Sequence, residues 1–259
     1  MSSSNIHPTA IIDETAVIGT NNTIGAYCII GPGVRLGDDN VLHPHVMIEA
    51  NTEVGNGNTF FQFGSIGAKS QDLKYTEEPT YAKIGNNNCF REYVTVHRGT
   101  SPGDSTVIGD DCNLLAYSHV AHDCRLGNRI IMSNGVNLAG HVEVDDSAIV
   151  GGMSGTHQFC KIGSMAMVGA TSKVVQDVMP FVIYDGNPGR PRVINKIGLE
   201  RNGRTKEEIR EVHRAFKLFF RSELSLEEAV AKIKSELTIT KDVQTMLDFV
   251  ERSNRGLAR

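Results

Sequence analysis

Tryptophan is absent from this sequence, and only 6% of its 259 residues are aromatic, whereas glycine occurs 26 times. This composition argues against a core built on large aromatic side chains and favours a regular repeat of smaller ones. The chain is long enough for one large domain or two smaller ones, with ample apolar material for a core.

The cysteines offer no arrangement that would staple a fold or bind zinc. There are five, an odd number, and no two of them form a C-x-x-C pair. A disulfide framework or a cysteine-based zinc site is therefore not predicted. The cysteines are Cys28, Cys89, Cys112, Cys124 and Cys160.

Targeting and membrane segments are also missing. Residues 1–5 contain neither a basic residue nor an apolar run, and no apolar run elsewhere is long enough to span a bilayer. We therefore predict a cytoplasmic protein without a membrane span and without a nucleic-acid partner.

The net charge of −4 is unevenly distributed along the chain. From Arg190 onwards there are 16 Lys and Arg residues against 11 Asp and Glu residues, whereas the first 189 residues carry 10 against 19. The basic C-terminal part indicates either an anionic partner or ligand, or a basic surface that is simply solvated.

The strongest pattern in the sequence is an aliphatic residue, methionine or phenylalanine at almost every sixth position. It runs from Ile6 to Val174, and the multiples of six that depart from it are Asp72, Glu78, Pro102 and Thr156. Neither an α-helix nor a single strand has a period of six. Three hexads of short strand and turn would instead close a triangular coil of about 18 residues, with the aliphatic side chains stacked inside.

This ladder resembles the hexapeptide-repeat family, whose fold is a left-handed parallel β-helix. We predict an all-β left-handed parallel β-helix over residues 1–186 and a C-terminal α-helical domain over residues 187–259. The left hand follows from the resemblance and not from the period, because crossovers between parallel strands are ordinarily right-handed.

Two interruptions of the ladder replace whole hexads and leave its phase unchanged. They are predicted to be loops near residues 67–83 and 97–107, extruded from intact coils. Long loops on a rigid solenoid commonly carry function. Asp72 and Lys74 in the first loop are suited to hydrogen-bond a polar ligand, although an ordinary charged loop would contain the same residues.

The C-terminal part begins with a segment rich in glycine and proline, residues 186–191, which marks an exit from the coil. Two capping boxes, Thr205–Glu208 and Ser225–Glu228, predict the starts of two helices. A third helix is predicted over about residues 242–253.

The first of these helices has two different faces. Its apolar face consists of Ile209, Val212, Phe216 and Phe219. Beside it runs a basic stripe, which consists of Arg210, Arg214, Lys217 and Arg221. A solvated surface is a sufficient explanation of this stripe, but an acidic protein partner would fit it as well.

Four histidines share one part of the coil. Counted modulo 18, His119 falls at 11, His157 at 13, His122 at 14 and His141 at 15. Neighbouring coils are one strand spacing apart, so these side chains are predicted to cluster along one edge within roughly 10 Å. Four histidines on one edge favour a functional site over isolated structural histidines.

Other histidines fall elsewhere in the same count. His7, His43 and His97 all have the value 7, which places them on another part of the triangle. They are therefore not predicted to join the four-histidine cluster.

A histidine cluster supports two chemistries, and spacing alone does not separate them. Three imidazoles and a water form a catalytic zinc site, as in the carbonic anhydrases that are trimeric left-handed β-helices. Alternatively, one histidine acts as a general base on a hydroxyl or amine that attacks an acyl thioester. The backbone N–H of Gly140 would then stabilise the oxyanion. A third hypothesis, an inert assembly scaffold, gives no reason for the clustered histidines.

Five stretches occur together, in this order, in one enzyme family: Gln71–Tyr75, Val96–Thr100, His119–Asp123, Leu138–His141 and Gly151–Phe159. On these stretches the sequence resembles the acyl-carrier-protein–UDP-N-acetylglucosamine O-acyltransferases, hexapeptide-repeat enzymes that catalyse the first step of lipid A synthesis. The resemblance covers nearly the whole chain.

The resemblance implies a role for individual residues. His122 matches the general base, Asp123 the carboxylate that orients it, and Gly140 the oxyanion-hole glycine. The residues that match the walls of the sugar-nucleotide and acyl pockets are Asp72, Lys74, His119, His141, His157 and Gln158. Those that match contacts near the uridine and diphosphate are Asn195 and Arg201.

The resemblance also implies partners and assembly. It indicates a homotrimer with active sites between subunits, no metal and no cofactor. The acyl donor would be a 3-hydroxyacyl thioester on acyl-carrier protein, attacked directly by UDP-N-acetylglucosamine. Because that carrier is acidic, it is a suitable partner for the basic stripe. Acylation of a 3-amino analogue of the sugar nucleotide fits the same motifs.

Three positions vary from the family pattern. Asn202 follows Arg201 where a second arginine is common, and Ile197 stands where glutamate is often found. Ala170 matches the acyl-length ruler, and its methyl group predicts acyl chains at or slightly below the family's longest.

Cys160 invites consideration as a nucleophile because it follows His157-Gln158-Phe159. It has the same phase as Cys124, which favours a packing role for both.

Overall fold

Three parallel sheets form the sides of a triangular coil, followed by a hairpin and four helices. The computed structural model describes residues 4–259. The predicted fold class, a left-handed parallel β-helix with C-terminal helices, is confirmed.

The strands are short, and successive strands belong to successive sheets. The parallel strands of sheet A are β1 (Asn5–Ile6), β4 (Thr23–Ile24), β7 (Val41–Leu42), β10 (Thr59–Phe60), β13 (Cys89–Phe90), β16 (Asn113–Leu114), β19 (Ile131–Met132), β22 (Ile149–Val150), β25 (Met167–Val168) and β27 (Val182–Gly186). The strands of sheet B are β2 (Ile11–Ile12), β5 (Ile29–Ile30), β8 (Met47–Ile48), β11 (Ser65–Ala68), β14 (Thr95–His97), β17 (His119–Val120), β20 (Asn137–Leu138), β23 (Gly155–Thr156) and β26 (Lys173–Val174). The strands of sheet C are β3 (Val17–Ile18), β6 (Arg35–Leu36), β9 (Thr52–Val54), β12 (Tyr81–Ile84), β15 (Ser105–Ile108), β18 (Arg125–Leu126), β21 (Glu143–Val144) and β24 (Lys161–Ile162).

The ladder residues form the core of the coil. Where no loop intervenes, each pairs with the residue 18 positions further on, as in Ile6↔Ile24 and Val120↔Leu138. From Ile24 onwards the ladder side chains within the coil are buried. Burying one such side chain contributes roughly 1.5–3 kcal/mol relative to leaving it exposed, which explains why the period is kept so strictly.

Each turn between strands directs one side chain outwards at a corner of the triangle. The third residue after a ladder residue adopts a left-handed backbone, with φ of 61° at Asp123, 60° at His141 and 65° at Phe159. Because these three residues are 18 positions apart, they stack along one corner, and the rings of His141 and Phe159 lie 4.5 Å apart.

The two interruptions of the ladder are loops extruded from intact coils. Thr59 pairs with Cys89, 30 positions on, so the first loop adds 12 residues to the usual 18. Tyr81 pairs with Ser105, 24 positions on, so the second adds six. The first loop occupies residues 69–80 and the second residues 98–104.

The C-terminal part contains two elements that the sequence patterns did not predict. β28 (Gly189–Ile194) pairs antiparallel with β27, so the glycine- and proline-rich segment is the turn of a hairpin. A short helix, α1 (Lys196–Arg201), follows it. The proposed domain boundary at residues 186 and 187 falls in this turn and remains a proposal.

The three predicted helices are confirmed as α2 (Lys206–Phe220), α3 (Leu226–Glu236) and α4 (Lys241–Arg252). Both capping boxes form, with Thr205 and Ser225 as the caps. The predicted apolar face of α2 is buried. Within residues 4–259 no helix is long and apolar enough to cross a bilayer.

Candidate functional site

His122 and Asp123 lie in the turn between β17 and β18, where sheets B and C meet. Nδ1 of His122 lies 2.8 Å from Oδ2 of Asp123, and Nε2 of His141 lies 3.6 Å from the same oxygen. The side chains of His122 and Asp123 are only 13% and 7% exposed. Since an ionised carboxylate only accepts hydrogen bonds, His122 donates from Nδ1 and keeps the lone pair of Nε2 free.

Thr100 in the second loop completes this network. Its Oγ1 lies 3.0 Å from Nδ1 of His122 and 2.8 Å from Oγ of Ser70, and its N–H donates to Oδ1 of Asp123 at 3.2 Å. Burial by itself raises the pKa of Asp123, but the hydrogen bonds from His122 and Thr100 outweigh it, and the pKa is lowered. The two loops therefore help to keep Asp123 ionised.

The prediction that His97 lies apart from the cluster is wrong. The first loop inserts 12 residues before His97, which shifts it by two hexads relative to His43. His97 ends β14 in sheet B, and its ring lies edge to face with that of His119 at 5.1 Å. Its Nδ1 donates to the carbonyl oxygen of Lys69 at 2.7 Å.

His97 and His119 are held in the neutral form near pH 7. Burial lowers the pKa of His97, and the neighbouring His122 lowers it further. Burial also lowers the pKa of His119 to about 4, with smaller contributions from His97 and His122. These two imidazoles can therefore donate and accept hydrogen bonds but carry no charge near neutral pH.

Gly140 lies one coil from His122, and a side chain there would collide with the imidazole. A Cβ on Gly140 would overlap Cε1 and Nε2 of His122. In residues 4–259 the N–H of Gly140 has no acceptor, and Gly140 lines the cavity described below. Its position thus combines room for the imidazole with a free backbone donor.

A cavity of about 590 Å³ lies along sheet B beside these residues, and we call it the histidine cavity. The predicted site residues that line it are His119, His122, Gly140, His157 and Gln158. His141 does not line the cavity; its ring packs edge to face against that of His122, and its Nε2 contacts Asp123. The clustering of the four histidines is therefore observed, with three of them facing the cavity.

Asp72 and Lys74 do not line the histidine cavity. Asp72 accepts a hydrogen bond from the N–H of Lys74 at 2.9 Å, which forms a local turn in the first loop. Leu73 between them is 101% exposed. Gln71, to which the sequence patterns assigned no role, is the residue of this loop that lines the cavity.

Asn195 and Arg201 line a different cavity, of about 480 Å³, over sheet A. Ile197 and Asn202 line it too. The side chain of Asn195 is engaged within the chain, since it caps α1 through Gly198 and donates to the carbonyl oxygen of Met165 at 2.9 Å. In one copy of the chain these residues and the histidine cavity therefore lie on different sides of the coil.

Ala170, which matches the acyl-length ruler of the family, lies exposed in the turn between β25 and β26. This turn is at the corner of sheets A and B, at the opposite edge of sheet B from His122. Ala170 does not line the histidine cavity of the single chain.

The basic stripe of α2 is partly neutralised within the chain. Arg214 donates to the buried carboxylate of Glu211 at 3.1 Å. Arg221 donates to the backbone carbonyl oxygens of Pro191 and Arg192 in β28. Arg210 also pairs with Glu211, at 3.6 Å. It lies with Lys196, Lys206, His213 and one acidic residue, Glu200, around a cavity of about 580 Å³. The floor of this cavity is apolar, formed by Val193, Ile194 and Ile209.

The two alternative chemistries have different support in the geometry. His122, Asp123 and His141 place one potential ligand atom each within 4.8 Å of one another, so this group is able to hold a metal ion. It offers two imidazoles and a carboxylate, in place of the three imidazoles that the sequence suggested.

Cys124 and Cys160 are fully buried in the coil, which supports their assignment as packing residues. Burial raises the pKa of the Cys160 thiol to about 11 and that of Cys124 to about 12. A thiol with so high a pKa is a poor nucleophile near neutral pH.

Comparison with known proteins assigns the chain to a family. Residues 177–258 match the family described as Udp N-acetylglucosamine O-acyltransferase, domain 2, and residues 15–50 match the bacterial transferase hexapeptide repeat. The structure of LpxA from Acinetobacter baumannii is 45% identical, with a TM-score of 0.96 over 98% of this chain and 99% of that one.

Two further structures agree with it. LpxA from Moraxella catarrhalis is 41% identical, with a TM-score of 0.94 over 98% of this chain and 99% of that one. LpxA from Bacteroides fragilis, a UDP-N-acetylglucosamine acyltransferase, is 36% identical, with a TM-score of 0.96 over 98% and 100%. With its fold, its repeat and its full-length relatives in agreement, the chain belongs to the UDP-N-acetylglucosamine O-acyltransferase family and is an acyltransferase.

Proposed function

We propose that this protein transfers a 3-hydroxyacyl chain from acyl-carrier protein to the 3-hydroxyl of UDP-N-acetylglucosamine, the first step of lipid A synthesis. The observation that carries the proposal is the hydrogen-bonded pair of His122 and Asp123 beside the free N–H of Gly140. Both a base and an oxyanion donor are thus available at one end of a cavity.

In the proposed reaction, Nε2 of His122 accepts the proton of the 3-hydroxyl while its oxygen attacks the thioester carbonyl carbon. A C–O bond forms, and the carbonyl oxygen becomes an oxyanion that accepts a hydrogen bond from Gly140. Collapse of this intermediate breaks the C–S bond, and the departing thiolate takes the proton from Nε2. Asp123, held by Thr100, keeps His122 in the tautomer that this step requires.

Asn195 and Arg201 would serve the same reaction from a neighbouring copy in a homotrimer. In support, the cavity that they line and the histidine cavity lie on different sheets of one chain. Sheet A also carries an outward apolar strip beside them, formed by Ile131, Ile149 and Met167, of which Ile131 is 37% and Met167 39% exposed. A second copy packed on this strip would remove it from water and supply an apolar wall for an acyl chain.

The carrier protein is proposed to dock on the basic cavity between β28, α1 and α2. Four basic or imidazole side chains surround it against one carboxylate, that of Glu200, and this excess of basic groups above an apolar floor suits an acidic partner. Charge complementarity of this kind accelerates association and sets orientation.

A metal-dependent reaction at His122, Asp123 and His141 is the second candidate, favoured by the spacing of their ligand atoms. It leaves the C-terminal helices and their basic cavity without a role. A 3-amino sugar nucleotide is an acceptor that the general-base mechanism would serve equally well.

The test is an acyl-transfer assay with 3-hydroxyacyl carrier protein and both acceptors, in wild type and His122→Ala. Loss of a general base is expected to lower kcat about 10²- to 10⁴-fold. His7→Ala, an exposed histidine at the far end of the coil, is the matched control and should retain full activity. Activity that survives His122→Ala, or that disappears from the wild type on treatment with a chelator, would contradict the proposed mechanism.

A further inference from the structure

The mouth of the histidine cavity is positively charged and has no acidic residue to balance it. Lys173, exposed on β26, lines the cavity, and no Asp or Glu is present among its lining residues in the described part of the chain. Lys173 forms no ion pair with residues 4–259. An unneutralised cation at the entrance to a concave site attracts an anionic ligand.

A second cation, Arg255, is fixed beside the same mouth. Nη2 of Arg255 lies 3.3 Å from Nδ1 of His157, which lines the cavity. The N–H of His157 in turn donates to the carbonyl oxygen of Val174 at 2.8 Å, the residue that follows Lys173. His157 thus contacts both Arg255 and the strand that carries Lys173.

The position of Arg255 is set by a buried carboxylate. Asp177, only 1% exposed, accepts hydrogen bonds from Oγ of Ser253 at 2.6 Å and from the N–H groups of Asn254 and Arg255, each at 3.2 Å. Its own N–H donates to the carbonyl oxygen of Gly256 at 2.9 Å. Such a set of bonds to one buried charge holds the backbone of this segment firmly, so the guanidinium starts from a fixed point.

The distance from the reacting groups selects the kind of anion. His119 and His122 belong to one coil, and Lys173 lies three strand pairs away through Asn137 and Gly155. At about 4.8 Å per coil this separation is roughly 14 Å. The diphosphate of a sugar nucleotide is attached to the same ring as the reacting hydroxyl and would lie nearer. The phosphodiester of a phosphopantetheine arm is separated from its thioester by the whole length of the arm.

We propose that Lys173 and Arg255 bind the phosphodiester of the donor's phosphopantetheine arm and so hold the thioester in register with Gly140. This inference rests on the proposed function, because it requires a carrier-bound acyl donor. Arg255 supplies parallel N–H donors, and Lys173 supplies a mobile point charge from sheet B.

The test compares two donors with the same acyl chain, acyl-phosphopantetheine and acyl-pantetheine, which lacks the phosphate. In Arg255→Gln and Lys173→Gln, KM for the phosphorylated donor is expected to rise about tenfold or more, the effect of losing one charged hydrogen bond. KM for the unphosphorylated donor and for UDP-N-acetylglucosamine should not change. Arg255→Lys should recover part of the loss.

Matched controls come from sheet C, which does not line the histidine cavity. Arg35→Gln and Lys83→Gln remove exposed cations of sheet C and should leave every KM unchanged. Equal effects on both donors, no effect on either, or a rise confined to KM for the sugar nucleotide would each overturn the phosphodiester assignment. Failure of the wild type to acylate any acceptor with either donor would instead contradict the proposed function.

Discussion

Gly140 has two separate reasons to lack a side chain. Its backbone N–H is free to meet an oxyanion, and its missing Cβ leaves the space that the His122 imidazole occupies. A sequence motif reveals that a glycine is present but not which of these demands it meets. The collision with His122 depends on how two consecutive coils stack, which the motif does not contain.

Gly140→Ala is expected to displace the His122 ring and lower kcat about 10²-fold or more, because a base shifted by about 1 Å loses its alignment. Gly155→Ala is the matched control for folding, since a Cβ there meets no atom within 4 Å. Thermal unfolding and steady-state kinetics of both variants make the comparison. Unchanged kcat in Gly140→Ala would show that the imidazole can move aside at no cost to the reaction.

Thr100 is expected to act through Asp123 and His122 and not through the substrate. Thr100→Val keeps the N–H that donates to Asp123 but removes the hydroxyl beside Nδ1 of His122, a loss of about 0.5–1.5 kcal/mol for a hydrogen bond between neutral groups. We expect kcat to fall about 2- to 10-fold while KM for the sugar nucleotide stays constant. Thr100→Ser should restore most of kcat. Equal rates in Thr100→Val and wild type would exclude a positioning role.

His119 should make stability depend on pH. In the folded chain its pKa is lowered to about 4, whereas an unfolded histidine titrates near 6.5, so between these values the unfolded chain binds more protons. The stability that the neutral His119 confers is therefore complete above about pH 6.5 and is lost as the pH falls towards 4. His119→Asn should flatten the decline of unfolding free energy over that interval, as measured by denaturant titration. A decline of the same slope in the variant would contradict this assignment.

At the scale of elements, the period of six predicted the coil because each ladder side chain meets the same demand for burial. The modulo count succeeded for His119, His122, His141 and His157 because the two loops before them add 12 and six residues, together one full coil. It failed for His97, which follows only the first loop. The count was reliable only where the insertions had added up to a whole turn.

Other elements gave no usable signal in the sequence. The hairpin of β27 and β28 begins where the ladder ends, and its glycine and proline residues indicate a turn without indicating what pairs across it. Thr100 and Gln71 lie in loops with no period, so their contacts depend on how the loops fold over neighbouring coils. By contrast, the capping boxes are local patterns, and they predicted the starts of α2 and α3 correctly.

The basic cavity gives a prediction at this scale. The double variant Lys206→Glu, Arg210→Glu should raise KM for the acylated carrier protein at least tenfold, because like charges would then face the acidic carrier. The dependence of this KM on salt concentration should weaken. KM for acyl-phosphopantetheine alone should be unchanged. Lys232→Glu with Lys234→Glu, on α3, is the control pair. A similar loss in the control pair would indicate general charge attraction and not docking at this cavity.

For the whole molecule, the distribution of features over the three sheets is the informative property. The histidine cavity lies along sheet B, the cavity of Asn195 and Arg201 lies over sheet A, and the outward apolar strip lies beside the latter. One chain cannot bring the two cavities to a single small substrate without unwinding the coil. In the proposed homotrimer this separation would be resolved, since rotational symmetry would place sheet A of one copy next to sheet B of another.

Mixed assemblies test this directly. His122→Ala and Arg201→Ala should each be weakly active alone, but co-expressed copies with different tags should regain activity. Random assembly restores up to about a quarter of the sites, those that take His122 from one variant and Arg201 from the other. Ile149→Arg, on the apolar strip, should prevent this recovery and shift the sedimentation coefficient towards that of a single chain. If the doubly tagged assembly shows only the summed activity of the two variants, both residues serve a site within one copy.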